Sequence, residues 1–165
     1  LISDSFRNWR GMQSSNGRRI KRYILIKANS IRFLKEEELE RFKQIQLISN
    51  YIDSRQSEIN KFNTNNNIDK SLSINGRNMT NFGLFRKYIT TYLQHYPGIN
   101  KEMILLCRQL QPTSHGIPLE IYAFSSDKRF VNYEYIMADI FDHVIASVPY
   151  FDLEIFESLD VNAAK

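Results

Sequence analysis

The stretch from Leu119 to Ser125 carries large apolar side chains on both of its faces. Read as a strand, it sends Leu119, Ile121 and Ala123 to one side and Tyr122 and Phe124 to the other, because successive side chains alternate. A layer of helices covers only one side of an antiparallel sheet. The second apolar face therefore calls for burial against another domain or subunit.

Other elements follow from periodicity. Arg18 to Lys27 reads as a strand with Ile20, Ile24 and Ile26 on one face and Tyr23 and Leu25 on the other. Met103 to Leu110 reads as a buried strand, with QPTSHGIP as the connection back to Leu119. Thr80 or Asn81 caps a helix whose Phe85, Tyr88, Ile89, Tyr92, Leu93 and Tyr96 form one stripe, stopped by Pro97-Gly98. Val131 to Val148 is the clearest helix, with Tyr133, Ile136, Met137, Ile140, Phe141, Val144 and Ile145 on one side. Pro149 ends it, and Phe151 to Phe156 reads as a last strand.

Between the first strand and the Thr80 cap lies a segment of different character. Glu36, Glu37 and Glu38 suit a helix N-terminus, and Leu39, Phe42, Ile45, Ile48, Ile52 and Ile59 follow, predicting one long amphipathic helix from about Lys35 to Phe62. An Asn-rich stretch with the turn pair Asn75-Gly76 comes next and is expected to be a mobile loop. A second such pair, Asn16-Gly17, predicts a tight turn before the first strand.

With residues 35–78 set aside as an insertion, the order is strand, helix, strand, strand, helix, strand. That order predicts an α+β fold of the ferredoxin-like, split βαβ kind, with two packing helices on one face of an antiparallel sheet. The domain is expected over 18–157, with residues 1–17 as the end of a preceding unit plus linker and 158–165 as a tail.

The chain has 165 residues, 42% of them hydrophobic, enough to bury a core and to exclude disorder throughout. Its longest apolar run, Met103 to Cys107, falls far short of the roughly 20 residues that span a bilayer. It starts at Leu1 without a signal-peptide block and reads as a piece of a longer protein. The single cysteine, Cys107, excludes an internal disulfide and a cysteine-based zinc site, and favours a reducing compartment such as cytoplasm. Asn78-Met79-Thr80 matches the glycosylation sequon, a pattern short enough to arise by chance.

Charge is polarised along the sequence. Residues 1–27 hold seven cations (Arg7, Arg10, Arg18, Arg19, Lys21, Arg22 and Lys27) against Asp4 alone, whereas Glu134 to Ala164 holds seven carboxylates and no Lys or Arg. The basic block can meet nucleic acid or anionic lipid, or pair with the acidic block of its own or a neighbouring chain. The second reading is favoured because both blocks sit in one small chain.

No pattern for catalysis emerges. His95 sits near a helix end and His115 in a turn, while Asp139 and His143, four apart on a helix, are too few for a metal site. Ser114-His115, Ser125-Ser126 and Cys107 lack any nucleophile context, and no phosphate-binding glycine motif occurs. No enzyme activity, cofactor or metal is expected. Tyr23, Tyr122, Phe124 and the N-terminal arginines resemble a base-stacking sheet, but the RNA-binding signature is absent and the final strand is acidic, so no nucleic-acid partner is expected.

Six segments carry a resemblance to a known family. RFLKEEELERFKQI (Arg32 to Ile45), NGRNMTNFGLFRKYI (Asn75 to Ile89), RQLQPTSHGIPLEIYAF (Arg108 to Phe124) and YEYIMADIFDHVIASVPYFDLEIF (Tyr133 to Phe156), with DSFRNWRGM (Asp4 to Met12) and GRRIKR (Gly17 to Arg22), resemble the C-terminal cytoplasmic region of MscS-like mechanosensitive channels, miniconductance branch. The resemblance implies a homo-oligomer, heptameric in the best-known member, which opens under membrane tension and releases ions and small solutes in hypo-osmotic shock. It implies a location on the cytoplasmic side of the plasma membrane, anchored by helices upstream of Leu1. Residues 1–17 would then end the channel's β domain, 18–157 would be a ferredoxin-like wall of the vestibule, and 35–78 would be the extension particular to this branch. A soluble nucleic-acid-binding or small-molecule-sensing module on the same fold is the alternative.

Overall fold

Three strands and four α-helices make up the α+β architecture of the computed structural model, which describes residues 17–158. The Asn16-Gly17 turn, residues 1–16 and most of the tail expected at 158–165 lie outside the described residues. Strands β1 (Arg18–Ile26), β2 (Leu106–Gln109) and β3 (Ile117–Ser125) form one antiparallel sheet in the order β1-β3-β2. Helices are α1 (Leu39–Phe42), α2 (Ser49–Asn65), α3 (Asn81–His95) and α4 (Phe130–Ser147).

The strand with two apolar faces, β3, is the central one. It pairs with β1 from Arg18↔Ser125 to Ile26↔Ile117 and with β2 from Leu106↔Tyr122 to Gln109↔Leu119. Residues opposite each other share a face, so Ile20, Ile26, Cys107, Leu119, Ile121 and Ala123 form the buried inner face. Helix α3 lies against β2 and α4 against β1. Burying each large aliphatic side chain contributes about 1.5–3 kcal/mol, and this face with Phe85, Ile89, Leu93, Met137, Ile140 and Val144 is the centre of the core.

The β2–β3 connection is closed on itself. Thr113 and Gly116 exchange backbone hydrogen bonds of 2.9 and 3.2 Å, and Thr113 Oγ1 accepts from His115 N at 3.1 Å. Gly116 has φ +131°, and a Cβ there would come within 2.6 Å of Ile26 O on β1. Only glycine fits that close approach without strain.

Four expectations from the sequence change in the structure. The long helix 35–62 is broken: Glu36–Glu38, which runs straight into α1, and Gln46–Ile48 are single 3₁₀ turns, and Ile45 is extended between α1 and the second turn. Leu39, Phe42, Ile45 and Ile48 are spaced by three, and at about 100° per residue a continuous helix would put Leu39 and Ile48 on opposite sides. Both are buried, so the chain rewinds between them. The strand expected over Phe151–Phe156 is a 3₁₀ turn at Val148–Phe151 followed by one bridge, Ile155↔Ile26, at the outer edge of β1. Asp152, in the left-handed region at φ +55°, takes the chain out of the turn, and only Leu153 to Phe156 remain to run beside β1. The strand expected over Met103–Leu110 shortens to Leu106–Gln109. It pairs on one edge only, and Ile104 and Leu106 are exposed.

The fourth concerns the Asn-rich stretch expected to be a mobile loop, which is a set of turns tied by side chains. Asn63, buried at the end of α2, accepts from Arg77 N at 2.9 Å and donates to Arg77 O at 3.1 Å. Lys70 Nζ donates to Ser73 O at 3.0 Å, to Asn75 O at 2.5 Å and to Asn78 Oδ1. Gly76, at φ +68°, supplies the left-handed position expected of the Asn75-Gly76 pair.

Thr80 caps α3, its Oγ1 accepting from Gly83 N at 2.9 Å. The next residue, Asn81, is fully buried and joins three segments. Its Oδ1 accepts from Arg32 N and Phe82 N, both at 2.9 Å, and its Nδ2 donates to Ser30 O at 2.9 Å and Phe151 O at 3.0 Å. Beside it, Asp152 accepts from Arg32 at 2.7 Å and Arg41 at 2.6 Å, and Arg32 also pairs with Glu38 at 2.8 Å. Arg41 foremost, with Arg32, holds the Asp152 carboxyl below the usual range against the opposing effect of burial; Arg32 does the same for Glu38.

Two outcomes follow. Asn81→Ala orphans four backbone groups, two buried and two part-buried, and is expected to cost about 2–4 kcal/mol in urea unfolding, with Asn81→Asp no rescue because it loses both donors. Because both depressed carboxyls bind protons more readily when unfolded, the stability they add is present above about pH 4 and drains away as pH falls below it. Asp152→Asn should flatten that acid loss and lower stability at pH 7 by up to about 1 kcal/mol, since the pairs are partly exposed.

Candidate functional site

On the sheet face turned away from α3 and α4, the register brings together Arg19, Lys21, Tyr23 and Leu25 of β1, Pro118, Glu120, Tyr122 and Phe124 of β3, and Leu106 and Arg108 of β2. Tyr122 and Phe124 are half-buried and meet edge to face, with centroids 5.8 Å apart. The Arg19 guanidinium lies 6.0 Å from the Tyr122 centroid, while Tyr23 is 52% exposed. A strand apolar on both faces, spotted in the sequence, thus yields an aromatic row with cations at its margin.

Within this row Glu120 is only 3% exposed. Arg108, its cross-strand partner, donates to Oε1 through Nε and Nη2, both at 3.0 Å. This two-pronged pair gives the buried carboxylate its counter-charge. Periodicity gave no sign of it, since Glu120 reads as an ordinary outward strand residue; the alternation of Arg108 and Glu120 with apolar neighbours on paired strands was the available signal.

The N-terminal basic block meets the C-terminal region, though mostly through rings. Arg18 lies 4.2 Å from the Tyr133 centroid and 5.4 Å from that of Phe130, and Arg22 lies 5.6 Å from Phe141. Tyr133 Oη donates to Arg19 O at 2.6 Å. Among the described residues of the block, only Lys27 forms an ion pair with a C-terminal carboxylate, Glu154 at 3.2 Å. The other ion pairs to the acidic segment among the described residues come from Arg32 and Arg41, outside the block.

A second concave feature lies between α3 and α4. A cavity of about 350 Å³ is lined by Ile45, Tyr88, His143, Ala146, Ser147, Tyr150 and Phe151. Tyr88 Oη and His143 Nε2 are hydrogen-bonded at 2.7 Å, and the His143 ring stacks on Tyr92 with centroids 4.0 Å apart. Tyr96 Oη donates to Asp139 Oδ2 at 2.8 Å; burial first, then that carboxylate, pushes the Tyr96 phenol up to about 12. Asp139 and His143, the i,i+4 pair of the sequence, are therefore divided between two tyrosines.

The remaining reactive side chains are scattered. His95 Nδ1 donates to Thr91 O at 2.8 Å within its own helix, and His115 lies against Phe156. Ser125 Oγ donates to Asp127 O at 2.7 Å. Burial pushes the Cys107 thiol up to about 12, where it is a poor nucleophile. No cluster of three or more His, Cys, Asp or Glu side chains able to hold a metal occurs among the described residues. No helix among them is long and apolar enough to cross a membrane. No model of a known protein family matches the chain.

Arg108→Ala strands the buried Glu120 carboxylate and is expected to cost about 2–3 kcal/mol in chemical denaturation. Replacing the pair together, Arg108→Met with Glu120→Leu, should restore most of that loss.

Proposed function

We propose that this chain is a non-enzymatic wall domain of the cytoplasmic vestibule of an MscS-like, tension-gated channel, built on a ferredoxin-like sheet. The order β1-β3-β2, with Ile155 bridging Ile26 outside β1, supports that fold, since a split βαβ sheet whose last strand shrank to one bridge would leave that arrangement. The observation that carries the functional reading is the aromatic row on the outer sheet face. Tyr122, Phe124 and Leu25 are half-buried without help from α3 or α4, and they suit a neighbouring domain or subunit of a homo-oligomer.

The role in that reading is mechanical. Tension opens a pore formed by membrane helices upstream, and solutes reach it through a vestibule that this domain walls. The resemblance segments supply working parts rather than reactive groups. PTSHG makes the turn that seats against β1, the Asn81 carboxamide fastens the crossover helix, and the Tyr133–Phe156 stretch supplies α4 and the return to the sheet edge. The aromatic row is a poor platform for bases. Tyr122 and Phe124 meet edge-on, and the row includes the carboxylate Glu120.

The test is the open reading frame upstream of Leu1 and the behaviour of the protein it encodes. Several apolar helices, the last rich in Gly and Ala, and tension-activated currents in excised patches are the expected results. Tyr122→Ser with Phe124→Ser should then weaken assembly of the full-length protein. A frame lacking such helices, together with submicromolar, salt-dependent binding of single-stranded RNA, would replace this reading with the nucleic-acid one.

A further inference from the structure

Two features remain outside that reading. The first is the turn-rich loop 68–78, which holds Leu72 and Ile74 in solvent at 64% and 68% exposure. Its polar groups tie the loop to itself. Besides the Asn63 and Lys70 bonds, Asp69 Oδ1 accepts from Ser71 N at 2.9 Å and Asn75 Nδ2 donates to Asp69 O at 2.8 Å. The frame is set internally, and it leaves two aliphatic side chains two residues apart facing outward. The second is the cavity of about 350 Å³ between α3 and α4, whose walls are largely apolar and which opens beside the exposed Ala146 and Tyr150. A cleft of this size and lining accepts a ligand or inserted side chains.

The two features cannot meet within one chain. Ile45, on the cavity wall, precedes α2, and Asn63, which anchors the loop, is near its end. At 1.5 Å per residue the helix separates them by about 25 Å. Across copies, charge favours the meeting. Lys61 and Arg77 flank the loop, Asp142 lies on α4 next to the cavity residue His143, and none of the three forms an ion pair among the described residues. On the α4 side the stretch from Glu134 to Glu157 has no Lys or Arg to oppose an incoming basic loop, and the nearest cations on the other walls are engaged, Lys87 over the Tyr51 ring and Arg41 on Asp152.

We propose that Leu72 and Ile74 of one copy seat in the Tyr88–Phe151 cavity of a second copy. The contact is head to tail, so repetition produces a closed ring or an open filament. Its test is association and does not depend on channel activity, so failure of the channel reading leaves it standing.

The experiment uses two full-length proteins, one carrying Leu72→Cys and the other Ala146→Cys, mixed under mild oxidation. Native Cys107 is buried and stays silent. The expected result is a mixed disulfide joining position 72 of one chain to position 146 of the other, identified by the mass of the linked peptides and at least tenfold above the mixed product of Leu72→Cys with a control on exposed Gln111→Cys. Adding Ile74→Asp to the loop partner should remove it; this change lies on an exposed position and spares the core, which circular dichroism verifies. A mixture that links no better than the control overturns the proposal. So does linking that Ile74→Asp leaves unchanged. Saturable binding of phenol, followed by the His143 ring resonances and unaffected by Ile74→Asp, would assign the cavity to a small aromatic ligand and overturn it as well.

Discussion

One carboxamide governs how the pieces of this domain are joined. Asn81 is buried and fully engaged, with two N–H groups reaching two acceptors in loop and turn, and one oxygen receiving two backbone donors. The segments it links are the loop after β1, the start of α3 and the turn after α4, which are far apart in sequence. A hydroxyl has one proton to give and a carboxylate none, so neither can replace it. Around this point Phe151 packs on Phe85 and Phe42, with centroids 5.0 and 6.0 Å away, and the Arg32–Asp152–Arg41 cluster closes over the junction. Phe42 is buried because the broken segment 36–48 brings it here, so the polar junction and the insertion share one core.

Electrostatic polarity along the sequence is resolved in a less obvious way than simple pairing. Guanidinium groups are weakly hydrated and lie readily on aromatic faces, so Arg18 and Arg22 settle on Tyr133 and Phe141 of α4. The carboxylates of α4 are left largely to solvent. The result joins the first strand to the last helix by rings while preserving an unneutralised acidic surface. Long-range attraction selects which partners approach, whereas the local chemistry of the side chains decides what touches.

The sequence made parts of this structure legible where period and turn chemistry agree. The helix of Val131–Val148 and the helix capped by Thr80 have a single face to bury, β1 and β3 alternate with period two, and the PTSHG turn has a position that only glycine fits. The failures share a different origin. Leu39, Phe42, Ile45 and Ile48 each fit a helix locally, and only their cumulative drift shows that one helix cannot bury them all. Phe151–Phe156 has strand composition, yet Asp152 leaves the extended region to meet two arginines from 111 and 120 residues earlier. The Glu120–Arg108 pair and the aromatic cavity depend on which strands and helices become neighbours, information that no local window contains.

The Lys70 ammonium resembles a bound metal ion in what it does: it gathers carbonyl oxygens from Ser73 and Asn75 and an amide oxygen from Asn78 around one positive centre. A dissolved cation in that place would leave when its concentration fell. A cation on a four-carbon stem cannot be diluted away, so the loop keeps its shape while the salt around it changes. Its vulnerability is chemical instead: acylation of a single amine would empty the centre and release the oxygens it holds.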